Sequence, residues 1–334
     1  MPMYILHTLL SVAITFTVTY ILTDIVAKYM RRIGHVGVDI HKPHKPTIPT
    51  SVGISIVIGM TFGCIVLVIL NSTVWLKTMV LLMTMWICSI IGLIDDFKVL
   101  KGTTKMLATV IAIIPIIIGH LMAPDVIVLG RPIVPILRRL RLTIVYWLLL
   151  PLAIAGPANA VNMLEVLNGV MPITCSLALV PLILACIIVG DINVAVLATL
   201  LLSALLAYLP YNKYPAKVFS GDTGSLAVGG AIGALAILGR VELVAMAALS
   251  PHIMNAFYVV SFMRGFKEHR EIPRPVKVSS SGVIMDSLNP RAPITLVRMI
   301  VGKEGASEVE VVKGITIVQL ISSVIALALA LLMR

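Results

Sequence analysis

Residues 74–98 read VWLKTMVLLMTMWICSIIGLIDDFK. In the run 74–94 the only charged residue is Lys77, and the run stops at two adjacent carboxylates. A spanning helix needs roughly 20 mostly apolar residues, and a charge at the bilayer centre costs about 2.5–3.5 kcal/mol on insertion scales. The stretch therefore reads as a membrane span that delivers Asp95 and Asp96 to one water interface.

The rest of the chain agrees. Of 334 residues, 59% are hydrophobic and 12% charged, and the mean hydropathy is +1.06. Soluble domains run about 45–50% apolar and about 25% charged. The chain is expected to be an all-α polytopic membrane protein, with one transmembrane domain over 1–334. The first run, Tyr4 to Thr23, lacks a basic leader and a small-residue cleavage site, so it reads as a retained helix. Cys64, Cys88, Cys175 and Cys186 lie inside apolar segments with no CxxC pair, as buried small hydrophobes do. The net charge of +11 does not call for nucleic acid; in so apolar a chain, basic loops reflect topology and anionic lipid.

Ten spans are expected, over 4–26, 49–70, 74–94, 104–123, 142–160, 171–189, 192–210, 224–239, 241–263 and 315–333. Loops 27–48, 95–105, 161–170, 211–223 and 264–314 then share one face and carry 19 of the 26 Lys and Arg residues. The positive-inside rule makes that face cytoplasmic. The cluster Arg131, Arg138, Arg139 and Arg141 runs against the rule on the other face. Parity also gathers Asp95, Asp96, Asn162, Asn168, Asp222 and Arg274 at one end of the bundle, before any motif is considered.

Each loop has its own chemistry. In GLIDDFKVLKGTTK, adjacent carboxylates raise each other's pKa unless a cation resolves them; Mg²⁺ bridging a phosphate would do so, and so would Lys98, Lys101 or Lys105 at a helix end. In GPANAVNMLEVLNGV, unsatisfied amides at a membrane boundary are costly. Asn159 and Asn162 share a face if helical, and an amide serves a metal or a nucleobase. Asn168-Gly169 alone reads as a helix C-cap. In YPAKVFSGDTGSLAVGG, Gly221 and Gly224 allow close backbone approach, Thr223 or Ser225 can cap a helix, and that helix N-terminus suits phosphate. Asp222 suits a metal beside it, and Phe219 either stacks on a base or anchors the loop.

The loop 264–314 reads as a small cytoplasmic α/β subdomain between the last two helices. It has strand-like stretches at 276–285 and 307–312 and a helical spacing in PRAPITLVRMIVG. Its FKEHREIPRP segment offers Lys267, His269, Arg270 and Arg274 to phosphate or to anionic headgroups. His41 and His44 form an HxxH spacing in a Pro-rich turn that supplies too few ligands for zinc.

In this order, DIHKPHKPTIPTSVG, GLIDDFKVLKGTTK, NAVNMLEVLNG, VFSGDTGS and HREIPRP resemble the polyprenyl-phosphate N-acetylhexosamine 1-phosphate transferase superfamily. Within it, the asparagine spacing and the long last loop are most similar to the dolichyl-phosphate GlcNAc-1-phosphate transferases of eukaryotes and archaea. The bacterial MurNAc-pentapeptide branch carries HHH where this chain has HREIPRP. Eukaryotic members follow the loop PR with His and Arg, where Pro275 and Val276 stand here; an aromatic residue they place after the acidic pair is replaced by Gly102. The resemblance implies a ten-helix enzyme with a cytoplasmic site that moves GlcNAc-1-phosphate from UDP-GlcNAc to polyprenyl (dolichyl) phosphate. It implies Asp222 and Asn162 as ligands of Mg²⁺ (or Mn²⁺), Lys105 and Arg274 as pyrophosphate contacts, and Phe219 and Asn168 on the uracil. Asp95 and Asp96 become the pair that positions Lys105 or handles the lipid phosphate, with Asn159, Gly221 and His269 among the substrate-binding residues. The partners are the two substrates and the bilayer, with a homodimer left open. Another UDP-N-acetyl sugar or undecaprenyl phosphate is the alternative reaction. A ten-helix transporter is the alternative class, but its polar groups belong near the midplane in paired broken helices, and no internal repeat is present.

Overall fold

The computed structural model describes residues 2–263, 265 and 272–333. Among them, eight helices are long and apolar enough to cross a membrane. They are α1 (Pro2–Arg32), α3 (Trp75–Phe97), the pair α4 and α5 (Gly102–Val110 and Ile114–Met122), the pair α6 and α7 (Ile144–Leu149 and Leu152–Leu164), α8 (Val170–Ile188), α9 (Ile192–Asn212), α10 (Gly221–Gly239) and α14 (Glu308–Leu331). A ninth span is broken: α11 (Glu242–Ala248) and α12 (Ser250–Met263) meet at 70°, with Pro251 just past the bend. The remaining apolar segment of the ten is α2 (Ile54–Leu70), a 17-residue helix.

Burial ranks these helices. In α10, 89% of the span is covered by protein, against 22% in α1. Its sequence GDTGSLAVGGAIGALAILG is small at nearly every turn, so neighbouring backbones approach closely, as they do between helices in lipid. The α3–α10 contact shows why. A side chain at Gly92 of α3 would overlap the backbone of Asp222 and Thr223. Gly92 therefore sets how near the carboxylate-bearing end of α3 comes to the start of α10.

The loops add three small sheets. Strands β1 (Val36–Val38) and β2 (Thr47–Pro49) pair antiparallel, with Gly37 opposite Ile48. At the other end of the bundle, β3 (Ile133–Val134) pairs with β4 (Arg138–Arg139), a hairpin the sequence did not announce. The subdomain holds β5 (Val276–Val278), β6 (Val283–Asp286), α13 (Leu296–Val301) and β7 (Ala306–Ser307), in sheet order β5-β6-β7. Val276, Ile284, Val297 and Val301 seat it on Leu164, Leu167, Val311 and Ile315.

One expected strand is a helix. Residues 308–312, expected to be extended from their β-branching, form the start of α14. Ser307 accepts from the Glu310 N–H while the Glu310 side chain accepts from the Ser307 N–H. That reciprocal cap satisfies two otherwise unpaired donors, and it outweighs the strand propensity of Val309, Val311 and Val312. The last helix thus begins at Glu308, well before residue 315.

Its first residue is tied into a buried ionic knot. Lys42 Nζ lies 2.7 Å from both Asp39 Oδ2 and Glu308 Oε2, and all three are buried. The Asn168 amide donates to both carboxylates as well. Three chain segments meet in this knot, the first loop and the start of α14 through the cation and Asn168 through the two carboxylates. Lys42→Ala leaves two buried carboxylates without a counterion, a change that costs about 3–5 kcal/mol. We expect a large drop in melting temperature in detergent; an unchanged melting temperature would show that water already reaches the knot.

Candidate active site

The DD pair of α3 is divided between two tasks by the helical turn. Successive residues on a helix point about 100° apart, so Asp95 and Asp96 face different partners. Asp96 turns toward the start of α10. Its Oδ1 accepts from the Asp222 N–H at 2.9 Å, and its Oδ2 accepts from the Thr223 N–H at 3.1 Å, the Thr223 hydroxyl at 2.6 Å and the Ser51 hydroxyl at 2.7 Å. Neither Thr223 nor Ser225 caps α10; the cap comes from Asp96 across the bundle. The anion position expected for a substrate phosphate at this helix N-terminus is filled by a protein carboxylate, because the first free N–H groups of a helix favour any nearby anion.

Gly221 makes this possible. Its φ is +67°, a region glycine enters at little cost, and a side chain there would overlap the Asp96 carboxylate. Ser51 is held in turn by His35 Nε2 at 2.8 Å, whose ring stacks on Phe97 with centroids 4.0 Å apart.

Asp95 turns the other way. Its Oδ1 accepts from the Leu100 N–H at 2.7 Å, and its Oδ2 lies 3.2 Å from Lys105 Nζ. The same ammonium reaches Asp222 Oδ2 at 2.5 Å. Asn162 Nδ2 donates to Asp222 Oδ1 and to Ser225 Oγ, both at 2.9 Å. Lys105, Asp95 and Asp222 keep 16%, 11% and 22% of their side-chain surface accessible, so the cluster is desolvated yet reachable. Four residues from α3, α4, α7 and α10 meet at the end of the bundle where parity placed them.

The other expected site residues sit around this cluster. Asn159 is buried and donates to Thr109 Oγ1 at 2.9 Å and to the Ala155 carbonyl at 2.8 Å. It joins α7 to α4, the helix that carries Lys105. Phe219 is half-buried; its N–H donates to the Pro49 carbonyl at 2.9 Å, and its ring packs against Gly37 of β1. Asn168 is 4% exposed: its amide N–H groups are spent on Asp39 and Glu308, and its Oδ1 accepts from the Ala216 N–H at 3.1 Å. It is not a helix C-cap, since α7 ends at Leu164. Arg274 is exposed and has no hydrogen bond or ion pair with the Lys105 cluster among the described residues. It stands near His41, whose imidazole is lowered to about 4 chiefly by burial, with Lys42 and Arg274 adding to the effect. His269, like Lys267 and Arg270, lies outside the described residues.

Two features escaped the sequence reading. Ser51, and Ser225 in a role other than the cap expected of it, complete the hydrogen bonding of Asp96 and Asn162. Glu165, just past the end of α7, accepts from Ser220 beside the same first turn of α10. Along the membrane direction, an apolar groove of about 780 Å³ runs from Met106 and Asn159 past Pro157 and Gly233 to Tyr146, Glu242 and Phe257. Met106 adjoins Lys105, so the groove starts beside the charged cluster.

The chain has relatives among known proteins. Residues 78–240, which contain Asp95, Asp96, Lys105, Asn162 and Asp222, match the profile described as Glycosyl transferase family 4. A Sulfolobus acidocaldarius protein is 31% identical over 248 residues, 70% of this chain and 72% of its own. It bears the provisional name UDP-N-acetylglucosamine–dolichyl-phosphate N-acetylglucosaminephosphotransferase. The chain belongs to this family. A Saccharolobus solfataricus protein of the same provisional name is 29% identical, covering 84% of each chain. The phospho-N-acetylmuramoyl-pentapeptide-transferase of Halalkalibacterium halodurans is 28% identical over 78% of this chain and 83% of its own. The family 4 chain is a glycosyl-1-phosphate transferase embedded in a membrane.

Glu165 gives the site a pH signature. Burial pushes its carboxyl up from 4.5 to about 8, with hydrogen bonds from Ser220 and Ser225 opposing. The folded protein then holds this proton where the unfolded chain has lost it. Between about pH 4.5 and about 8, folding stability attributable to Glu165 therefore falls as pH rises. Glu165→Gln should flatten the decline of melting temperature across that window relative to the unsubstituted protein. Parallel curves for the two would show that the carboxyl titrates normally.

Proposed function

We propose that this transferase moves GlcNAc-1-phosphate from UDP-GlcNAc to a dolichyl-type polyprenyl phosphate on the cytoplasmic face, releasing UMP. The observation that carries the reading is the Lys105 ammonium, clamped between Asp95 and Asp222, on the helix whose next residue, Met106, lines a long apolar groove. A charged head and an isoprenoid tail need that pairing of environments, and the names of the archaeal relatives favour the same two substrates. The MurNAc-pentapeptide relatives favour the same chemistry on a different sugar.

In the reaction, an oxygen of the lipid phosphate forms a bond to the sugar-linked phosphorus. The bond from that phosphorus to the bridging oxygen breaks, and UMP leaves with the electron pair. A phosphate monoester is largely ionised near neutral pH, so no proton need be removed first. The protein's work is alignment and charge stabilisation. Lys105, held by Asp95, meets the negative charge of the pyrophosphate, while Asp96 fixes the α10 start and thereby Asp222. The tail lies along the groove lined by Met106, Pro157 and Phe257.

The donor set suits Mg²⁺, which binds through one or two carboxylates and an oxygen-rich remainder of waters and phosphates. Asp222 would hold it, with Asp95 adjacent and with the amide oxygen of Asn162 once that amide, whose Nδ2 donates to Asp222, is turned over; Lys105 meets both carboxylates with positive charge. When bound, the cation would neutralise charge on the pyrophosphate.

Incubating purified protein with labelled UDP-GlcNAc, dolichyl phosphate and Mg²⁺ should yield UMP and GlcNAc-pyrophosphoryl-dolichol, and chelation should stop it. Transfer to no polyprenyl phosphate, or from another UDP-sugar only, would overturn the assignment. Asp222→Ala should abolish turnover while the protein stays folded, and Lys105→Ala should lower kcat.

Phe219 tests nucleotide recognition separately. Loss of a base-stacking ring costs roughly 1–3 kcal/mol, so Phe219→Ala should raise KM for UDP-GlcNAc, because stacking is alike in ground and transition states. An unchanged KM with a lower melting temperature would assign the ring to packing on Gly37 alone. Sidedness is checked by cysteines placed at Lys101 and Lys217, which should be labelled only from the cytoplasm.

A further inference from the structure

A second charged cavity opens at the same end of the bundle, outside the Lys105 cluster. It is a cleft of about 660 Å³ between the end of α1, strand β2 and residues 211–218. None of Asp95, Lys105, Asn162 or Asp222 lines it. Four permanent cations do, Lys28, Arg31, Lys42 and Lys217, together with His44 and a lone carboxylate, Asp24. Lys28 is neutralised by Asp24 at 2.6 Å. Lys42 is spent on Asp39 and Glu308, with its ammonium over the Tyr214 ring. Arg31 and Lys217 are exposed and form no ion pair among the described residues.

What lies beneath the cleft specifies the kind of anion. Phe16, Tyr20, Asp24, Lys28 and Arg31 follow one another at spacings of four and three along α1, so they occupy one face. Phe16 and Tyr20 are 41% and 44% exposed, and their rings lie parallel with centroids 6.3 Å apart. Tyr20 meets Tyr211 of α9 at 5.1 Å, and Tyr211 itself lines the cleft. One strip thus runs from an aromatic, membrane-facing surface through tyrosines to unpaired cations. Tyrosine favours the membrane–water boundary, and basic side chains just beyond it attract anionic headgroups. A soluble phosphate has no use for the aromatic half of the strip.

We propose that this cleft binds an anionic phospholipid, its phosphate between Arg31 and Lys217 and an acyl chain along Phe16 and Tyr20. The site is separate from the transfer reaction, and it stands on the membrane location of the chain without needing the identity of either substrate. It borders the candidate active site at Pro49 and Val218, beside the backbone contact that carries Phe219, and at Lys42 and Ala216, beside Asn168.

The test compares the purified protein with the Arg31→Ala/Lys217→Ala double variant in uncharged detergent. Each is titrated with phosphatidylglycerol or with phosphatidylcholine, and bound lipid is counted by native mass spectrometry. Phosphatidylglycerol should be retained in preference to phosphatidylcholine. The double variant should bind it on the order of twenty-five-fold more weakly, at about fivefold per surface cation. Melting temperature without lipid should be unaltered, as should transfer to a short-chain acceptor in detergent. Lys217→Glu, a change at one exposed loop residue, should give a comparable loss and keeps the test decisive if the double variant is unstable. Equal retention of the two lipids, or undiminished binding by the variants, would overturn the proposal. So would displacement of the lipid by equimolar inorganic phosphate or UDP-GlcNAc, which would make the cleft a soluble-phosphate or nucleotide site.

Discussion

The arrangement hangs on the bond between the Asp96 carboxylate and the first turn of α10. A helix beginning inside a membrane bundle exposes N–H groups with no partner in its own chain, and leaving them unpaired away from water is costly. Asp96 answers two of them and adds the Thr223 and Ser51 hydroxyls. One partly buried carboxylate therefore joins α3, α10 and the segment before α2. Gly92 and Gly221 are the steric conditions for it, since a side chain at either would overlap atoms of this contact.

The charge cluster follows from that anchor. With the start of α10 fixed, Asp222 points at Lys105, and Asp95 on the next face of α3 closes the other side. Two carboxylates share one ammonium, leaving an acidic surplus that a divalent ion or the positive ends of neighbouring groups can offset. Phosphoryl transfer asks little covalent work of a protein and much alignment of charge. A rigid, partly desolvated cluster whose members come from four helices suits that demand, because no member can drift without disturbing packed backbone.

A second buried ionic assembly acts at the loops of the same end of the bundle. Lys42 with Asp39 and Glu308 ties the first loop to the start of the last helix, and Asn168 is fixed by both acids. The subdomain sheet then rests on the same helix through Val311 and Ile315. The loops around the site are thus braced on the bundle and are not loose connections. That bracing engages the whole Asn168 amide, its N–H groups on the two carboxylates and its Oδ1 on the Ala216 N–H.

By itself the sequence determined the membrane class, the order of the spans and the end of the bundle where the polar residues collect. Those follow from the run lengths, from alternation of loops and from the placement of Lys and Arg, all one-dimensional properties. The motif order was also enough to point to the transferase family. Tertiary structure alone decided that Asp95 and Asp96, adjacent in the chain, serve different partners, because a helix sends neighbours in different directions. It decided that the α10 N-terminus is capped by the protein, that Asn168 is buried in an ionic knot, and that Glu165 sits beside Ser220. It also made residues 308–312 helical, where the cap from Ser307 and Glu310 prevails over β-branched side chains. In each case the deciding contact joins residues far apart in sequence or depends on a local geometry that composition does not record.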